Sequence, residues 1–378
     1  MKSLCLILSF ILFSSCKTQV NFEVKRTDTR LPLSIATTKT WEETGAMCVV
    51  DNGDLFCWGA SGHAIDENLT TIEITPTKVP KLSGGVRKAA LYNTLRSCVI
   101  GSDSSLKCAG QNLNPDQVIF PSGVTKVDTG PSNACAIVNS ALKCWGNNSD
   151  GLLGDGTLVD SAAPVDVVGM SSGVTDVSVG LHTVCAVKGG AAFCWGLNSA
   201  GSIGDGTTNA SSVPVAIPSL SSGVTDISTN YGSYGEMGDS SFAIKDGGLY
   251  VWGQNDWGQL GDSTSVDKLT PTLLTPFSTG VSQVDAGGVE TCFLHSGDVY
   301  CFGLNLEGQM GLTADAHRYA PQKISGISGE VLQVAAGSKR GCASTKDKVY
   351  CWGMNSDNVI DSSTMDHQRV PKVVYTRK

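Results

Sequence analysis

The sequence is poor in charge, in helical patterning and in clustered cations. Only 16% of its 378 residues are Asp, Glu, Lys or Arg, and no long window repeats apolar residues at helical spacing, so a helical bundle is excluded. Lys and Arg number 27 against 35 Asp and Glu, a net charge of −8, and no basic run occurs. Nucleic acid is therefore not an expected partner, because binding there rests on clustered cations that neutralise phosphates. No Ser/His/Asp spacing, nucleophile elbow, phosphate loop or HExxH motif is present, which removes the motif-based case for those catalytic classes. The longest apolar run, near the N-terminus, is far shorter than the roughly 20 residues of a membrane-spanning helix.

Glycine is plentiful instead, with 44 copies among abundant Val, Thr and Ser. That composition points to short strands joined by tight turns and an all-β fold. The first residues, MKSLCLILSFILFSSCK, place one basic residue before an apolar run and small residues before Cys16. This is the pattern of an export signal. Leu12-Phe13-Ser14-Ser15-Cys16 resembles a bacterial lipobox, with Phe13 in place of the usual Leu. The resemblance implies cleavage before Cys16 and a diacylated cysteine that anchors the chain in a membrane, each buried methylene contributing about 0.8 kcal/mol. Residues 1–15 are then the signal peptide and 16–36 a lipidated N-terminus and linker. The expected location is a bacterial cell envelope, with the outer membrane favoured because Lys17, rather than Asp, follows the cysteine. With Cys5 in the signal and Cys16 lipidated, 12 of the 14 cysteines remain. That even number suits a disulfide framework in an oxidising compartment.

Internal repetition organises the rest. Trp-Gly or an equivalent recurs seven times, at Trp58-Gly59, Ala109-Gly110, Trp145-Gly146, Trp195-Gly196, Trp252-Gly253, Phe302-Gly303 and Trp352-Gly353. From the third copy onward the spacing is 50, 57, 50 and 50, and Pro164, Pro214, Pro271, Pro321 and Pro371 each follow the aromatic by 19 residues. A Gly-Val strand precedes each hairpin, as in GVTKVDTG (123–130) and GVTDVSVG (173–180), and an Asn/Gly loop follows the Trp-Gly pair, as in NNSDGLLGDGT (147–157). Together these markers resemble the repeat of the regulator-of-chromosome-condensation family over roughly residues 37–375. The resemblance implies a seven-bladed β-propeller of four-stranded antiparallel blades spanning residues 37–378, in which a closed ring buries each blade against two neighbours. Repeat two is 14 residues short, and repeat five carries an insertion of about seven residues within TNYGSYGEMGDSS (229–241). How the ring closes stays open: repeat seven finishes its own blade, or residues 31–36 add to it.

The cysteines fit the hairpins. With Asn52-Gly53 as a type I′ turn, Cys48 faces Cys57 in a non-hydrogen-bonded pair, with Cα atoms about 4.5 Å apart. A disulfide accepts that separation. The same register pairs Cys135 with Cys144, Cys185 with Cys194, Cys292 with Cys301 and Cys342 with Cys351; Cys98 and Cys108, one residue further apart, fit a three-residue loop. Repeat five has Phe242 and Val251 in the two positions. Zinc is not expected, since its ligand pairs sit two to four residues apart and converge.

No cofactor and no catalytic residue is assigned. The five histidines, His63, His182, His295, His317 and His367, fall in four different repeats, with His182 read as structural. The Gly-rich loops read as turns rather than calcium or phosphate sites. Tyr231, Tyr234 and Met237 of the insertion and Trp257 of the next loop lie on one face of one blade, since the loops joining strands one to two and three to four share a face. They are candidate binding residues, set against a loop packed on itself. The leading expectation is a non-enzymatic, monomeric interaction scaffold tethered by lipid and binding protein or glycan. An inhibitor or adhesin role is an alternative, as is a hydrolase using Asp128, Asp176, Asp226 and Asp285, read as corresponding positions of four first strands. Guanine-nucleotide exchange, which the family resemblance also implies, suits an exported chain poorly.

Overall fold

The computed structural model describes residues 31–37, 46–59, 73–80, 84–93, 96–110, 118–231, 239–288, 290–312, 318–355 and 358–377. The expected signal peptide, lipidated Cys16 and linker up to residue 30 lie outside these residues.

Seven antiparallel four-stranded sheets follow one another along the chain, each with its strands in sequence order from the inside outward. Blade one is Ser34–Thr37, Ala46–Asp51, Asp54–Gly59 and Glu73–Lys78. The linker expected to reach residue 36 is therefore shorter: Leu33 and Ile35 are buried, and Ser34–Thr37 is the innermost strand of blade one, paired with residues 47–50. Blade two is Val86–Asn93, Arg96–Gly101, Leu106–Gly110 and Val118–Phe120. Its shortened repeat appears as an outer strand of only 3 residues. Blades three to six follow the regular pattern, and blade seven, Gln333–Ala336, Arg340–Ser344, Lys348–Gly353 and Gln368–Thr376, is built wholly from the C-terminal end. The recurring prolines all fall in outer strands, where a missing N–H faces solvent rather than a neighbour.

The hairpin registers are as the sequence predicts. Cys48 pairs with Cys57, Cys98 with Cys108, Cys135 with Cys144, Cys185 with Cys194, Cys292 with Cys301 and Cys342 with Cys351, all disulfide-bonded. Their Cα separations, 4.1 to 4.2 Å, lie slightly inside the expected 4.5 Å. Asn52 and Gly53 both have positive φ, as a type I′ turn requires. In blade two Gly101 N–H donates to the Ser105 carbonyl, and Ser104 takes φ +62 at the end of the three-residue loop. Phe242 stands opposite Val251 in blade five, where the other blades have cystine.

Blades four, five and seven are each keyed to the blade before by a tryptophan. Trp195 Nε1 donates to the Leu152 carbonyl, Trp252 to Ser202 and Trp352 to Gln309, at 2.8–2.9 Å. The glycine two residues beyond in each of the first two loops has positive φ and no room for a side chain: a Cβ on Gly154 or Gly204 would lie under 3 Å from the next blade's indole. The Asn/Gly loop is a framework of its own. Asn148, fully buried, accepts the Leu153 N–H and donates to the Thr157 and Val159 carbonyls, and Asn198 and Asn255 repeat the arrangement.

The same key closes the ring. Trp58 of blade one donates to the Val359 carbonyl of blade seven at 2.7 Å. A clasp between buried Asp51 and Arg377 and half-buried Tyr375 adds to it: Arg377 Nε meets Asp51 Oδ1 at 2.9 Å, Tyr375 OH donates to Asp51 Oδ2 at 3.0 Å, and Arg377 Nη2 reaches the Leu31 carbonyl at 2.7 Å. Burial, then the hydrogen bond to Asp51, holds the Tyr375 phenol above its usual range. No strand is exchanged between the ends among the described residues.

Candidate functional site

The first strands of all seven blades line a central cavity of about 170 Å3. A first strand has no inward partner, so its main-chain N–H groups need acceptors. Side chains of the preceding blade supply them. Asp128 accepts the Val179 N–H, Asp176 that of Ile227, Asp226 that of Val284 and Asp285 that of Ala336, at 2.8–3.1 Å. Gln283 and Gln333 make paired bonds, Gln333 to both main-chain groups of Ile35 across the closure.

The four aspartates do not share one position, contrary to the expectation from the sequence. Asp176 and Asp226 are the third residues of their strands, and Asp128 and Asp285 the fifth. Lys126 fills the third position of blade three and pairs with Asp176. Burial opposes its charge, but the carboxylates of Asp176 and Asp226 outweigh this and hold the ammonium above the usual lysine range. Burial, then the neighbouring Asp176, pushes the Asp226 carboxyl well above its ordinary value. The structure thus brings Asp176, Asp226 and Lys126 together, while Asp128 and Asp285 belong to the other register. Each carboxylate is engaged as an interblade acceptor, a role not evident in the sequence.

The two faces of the ring differ. One carries the central hairpin turns and the starts of the first strands. The other carries the loops joining strands one to two and three to four, including the insertion of blade five. Tyr231, at the root of that insertion, is 1% exposed. Its hydroxyl donates to the Thr129 carbonyl of blade three at 2.8 Å, and its N–H to the Gly287 carbonyl of blade six at 3.0 Å. Expected as a surface contact, Tyr231 is instead a tie across the loop end of the channel, because a tyrosine in a Gly-rich loop can reach main-chain acceptors of neighbouring blades.

Asp239 forms the other root. It is fully buried, and its Oδ2 accepts the His182 N–H of blade four at 2.7 Å; burial pushes its carboxyl up to about 6. Asn230 accepts the Ser240 N–H at 2.7 Å. Tyr234 and Met237 lie outside the described residues. Trp257 is half-buried in the next loop of the same face, its main-chain N–H donating to Gln259 Oε1 at 2.8 Å, and Val266 beyond it is 62% exposed.

His182 Nδ1 lies 2.9 Å from Asp150 of blade three, joining two blades as a structural residue would. His295 packs edge-on against Phe277, and His367 Nε2 lies 2.6 Å from Glu307. His63 and His317 fall outside the described residues. Among the described residues no three His, Cys, Asp or Glu side chains are grouped as metal ligands, and no helix is long and apolar enough to cross a membrane.

Residues 144–187, 189–230, 246–294 and 296–343 match the sequence profile of the regulator of chromosome condensation (RCC1) repeat, and residues 331–358 match a second profile of the same description. Together the matches span more than half of the chain. They begin at Cys144, past the shortened second repeat. No curated protein sequence matches the chain. Among solved structures, human WBSCR16 is 20% identical with a TM-score of 0.67, over 81% of this chain and 85% of that one. Yeast RCC1 (Prp20), in a crystal structure with Kap60, is 16% identical with a TM-score of 0.68, over 100% of this chain and 91% of that one. At these identities the likeness is one of fold.

Proposed function

We propose, from the premise that the chain belongs to the regulator of chromosome condensation (RCC1) repeat family, that it is a non-enzymatic interaction scaffold binding a protein or glycan through the loop face. One observation carries the reading: the insertion of blade five is tied at both roots, through Tyr231 to blades three and six and through Asp239 to blade four. A segment so anchored loses less freedom on binding than a free loop, and its neighbours Trp257 and Val266 add aromatic and apolar surface. Tyr234 and Met237, between the roots, complete the proposed contact. Yeast RCC1, of the same fold, is itself found bound to a protein, Kap60.

The lipobox-like Leu12–Cys16 segment supports tethering through a diacylated Cys16 to a bacterial envelope, where cystine is stable. There the scaffold acts as a monomer, as an adhesin or as an inhibitor of an envelope or secreted enzyme. The test is photocrosslinking on intact cells from positions 234, 237 and 257, with position 297 on the hairpin face as control. A single partner captured from the first three and not from 297 supports the reading. Equal capture from both faces, or none but lipid and murein, contradicts it.

A hydrolytic channel draws on one observation, the adjacent Asp176 and Asp226 with Lys126. If they are catalytic, glycoside or ester hydrolysis by the intact chain disappears in Asp226→Asn.

A further inference from the structure

The hairpin face holds a second opening. A cavity of about 690 Å3 lies at the channel mouth there, within the 300–1,000 Å3 usual for ligand pockets. Among the described residues its cations are Arg87, Lys88 and Lys126, and no carboxylate lines it. In a chain with a net charge of −8 this concentration of one sign is unusual. The acids Asp128, Asp226 and Asp285 lie in the deeper cavity, with Lys126 shared between the two.

The cations are not equally engaged. Lys126 is paired with Asp176, and Arg87 gives one Nη to the Val124 carbonyl at 2.8 Å. Among the described residues nothing hydrogen-bonds or ion-pairs with the Lys88 ammonium. Lys88 stands exposed at the rim; partial desolvation, then the charges of Lys126 and Arg87, lower its pKa from the usual lysine value, against the opposing pull of the deeper Asp176 and Asp226. An anion beside Lys88 relieves both repulsions. The remaining wall is mostly apolar: Leu31, Leu33, Ile100, Leu294 and Leu332 contribute, with Leu31 61% and Leu332 41% exposed. A cationic end and an apolar wall in one cavity select for a ligand with the opposite charge and an apolar body.

We infer that the channel mouth on the hairpin face is a binding site for an amphiphilic anion, a carboxylate on a short apolar chain, with its head at Lys88 and Arg87 and its tail along Leu31 and Leu332. The site lies opposite the proposed contact face and stands independently of the function proposed above. It involves no bond-making step.

The test is calorimetric titration of the full chain with hexanoate at low ionic strength. Hexanoate is expected to bind at one site, at least tenfold more weakly to Lys88→Met, and more weakly as NaCl rises. Lys188→Met, whose ammonium meets the Gly169 carbonyl elsewhere, is expected to bind like the unsubstituted chain. Hexylamine is not expected to bind, and inorganic phosphate is expected to bind more weakly than hexanoate. Unchanged hexanoate affinity in Lys88→Met, equal binding of hexylamine, phosphate binding as tight as hexanoate, or no binding of hexanoate at all would each overturn the inference.

Discussion

Blades four and five use one register to two ends. In blade four Cys185 is bonded to Cys194 with Cα atoms 4.1 Å apart; in blade five Phe242 faces Val251 at the same place. All four side chains are fully buried. Since the strands pair identically, cystine does not create the hairpin; the turn and the packing do. What cystine adds is a constraint on the unfolded chain. Blade five lacks that constraint but has an inserted segment whose roots reach blades three, four and six. Covalent stapling and cross-ring tying are thus alternative ways to hold a blade.

The difference between the two blades is expected to show most strongly at Phe242. Its ring packs 6.0 Å from that of Phe302 in the next blade, and Phe242→Ala is expected to cost about 3–5 kcal/mol through the cavity it leaves. Denaturant unfolding followed by tryptophan fluorescence measures it. The joint change Cys185→Ala with Cys194→Ala is expected to cost a little under ~3 kcal/mol for a closed loop of about ten residues. Conversely, Phe242→Cys with Val251→Cys is expected to form a seventh disulfide, seen as two hydrogens more in the mass gained on full reduction than the unsubstituted protein gains from its 6 disulfides.

Asp239 gives a smaller effect with a defined pH signature. Its folded-state pKa of about 6 lies above the ordinary carboxylate value, so its contribution is fully present below about pH 4 and is lost as pH rises through 6. Raising a carboxyl from about 4 to about 6 corresponds to about 3 kcal/mol at neutral pH. Asp239→Asn removes that penalty but leaves an amide N–H2 to satisfy, at about 1 kcal/mol. The variant is expected to be about 2 kcal/mol more stable at pH 7 and to lose this fall in stability between pH 4 and 6, as read from urea titrations across that range. The smallest effect is Tyr231→Phe, which removes one buried hydrogen bond and is expected to cost ~1 kcal/mol in the same assay.

The parts legible in the sequence are those in which local rules act alone. A two-residue turn and a two-residue side-chain period set Cys48 opposite Cys57 without reference to the rest of the ring, and Trp-Gly, or Ala-Gly and Phe-Gly in its place, marks each blade. The ring closure was not legible, because Asp51 and Arg377 are 326 residues apart and neither lies in a motif. The aspartate belt was visible as residues but not as a role, since its carboxylates serve N–H groups of another blade. Tyr231 misled for a related reason: an aromatic residue in a Gly-rich insertion reads as exposed until the carbonyls of Thr129 and Gly287 are placed around it. The asparagine hubs at Asn148, Asn198 and Asn255 could have been found, because they recur at a fixed place after Trp-Gly.

The claim that packing and cross-ring ties can hold a blade as firmly as cystine is tested most directly by hydrogen exchange of the intact chain, oxidised and reduced. In the oxidised protein, Ser240–Lys245 and Gly248–Gly253 of blade five are expected to exchange as slowly as Thr183–Lys188 and Ala191–Gly196 of blade four. Reduction is then expected to speed blade four more than blade five. Blade five exchanging first in the oxidised protein, with blade four protected, would contradict the claim.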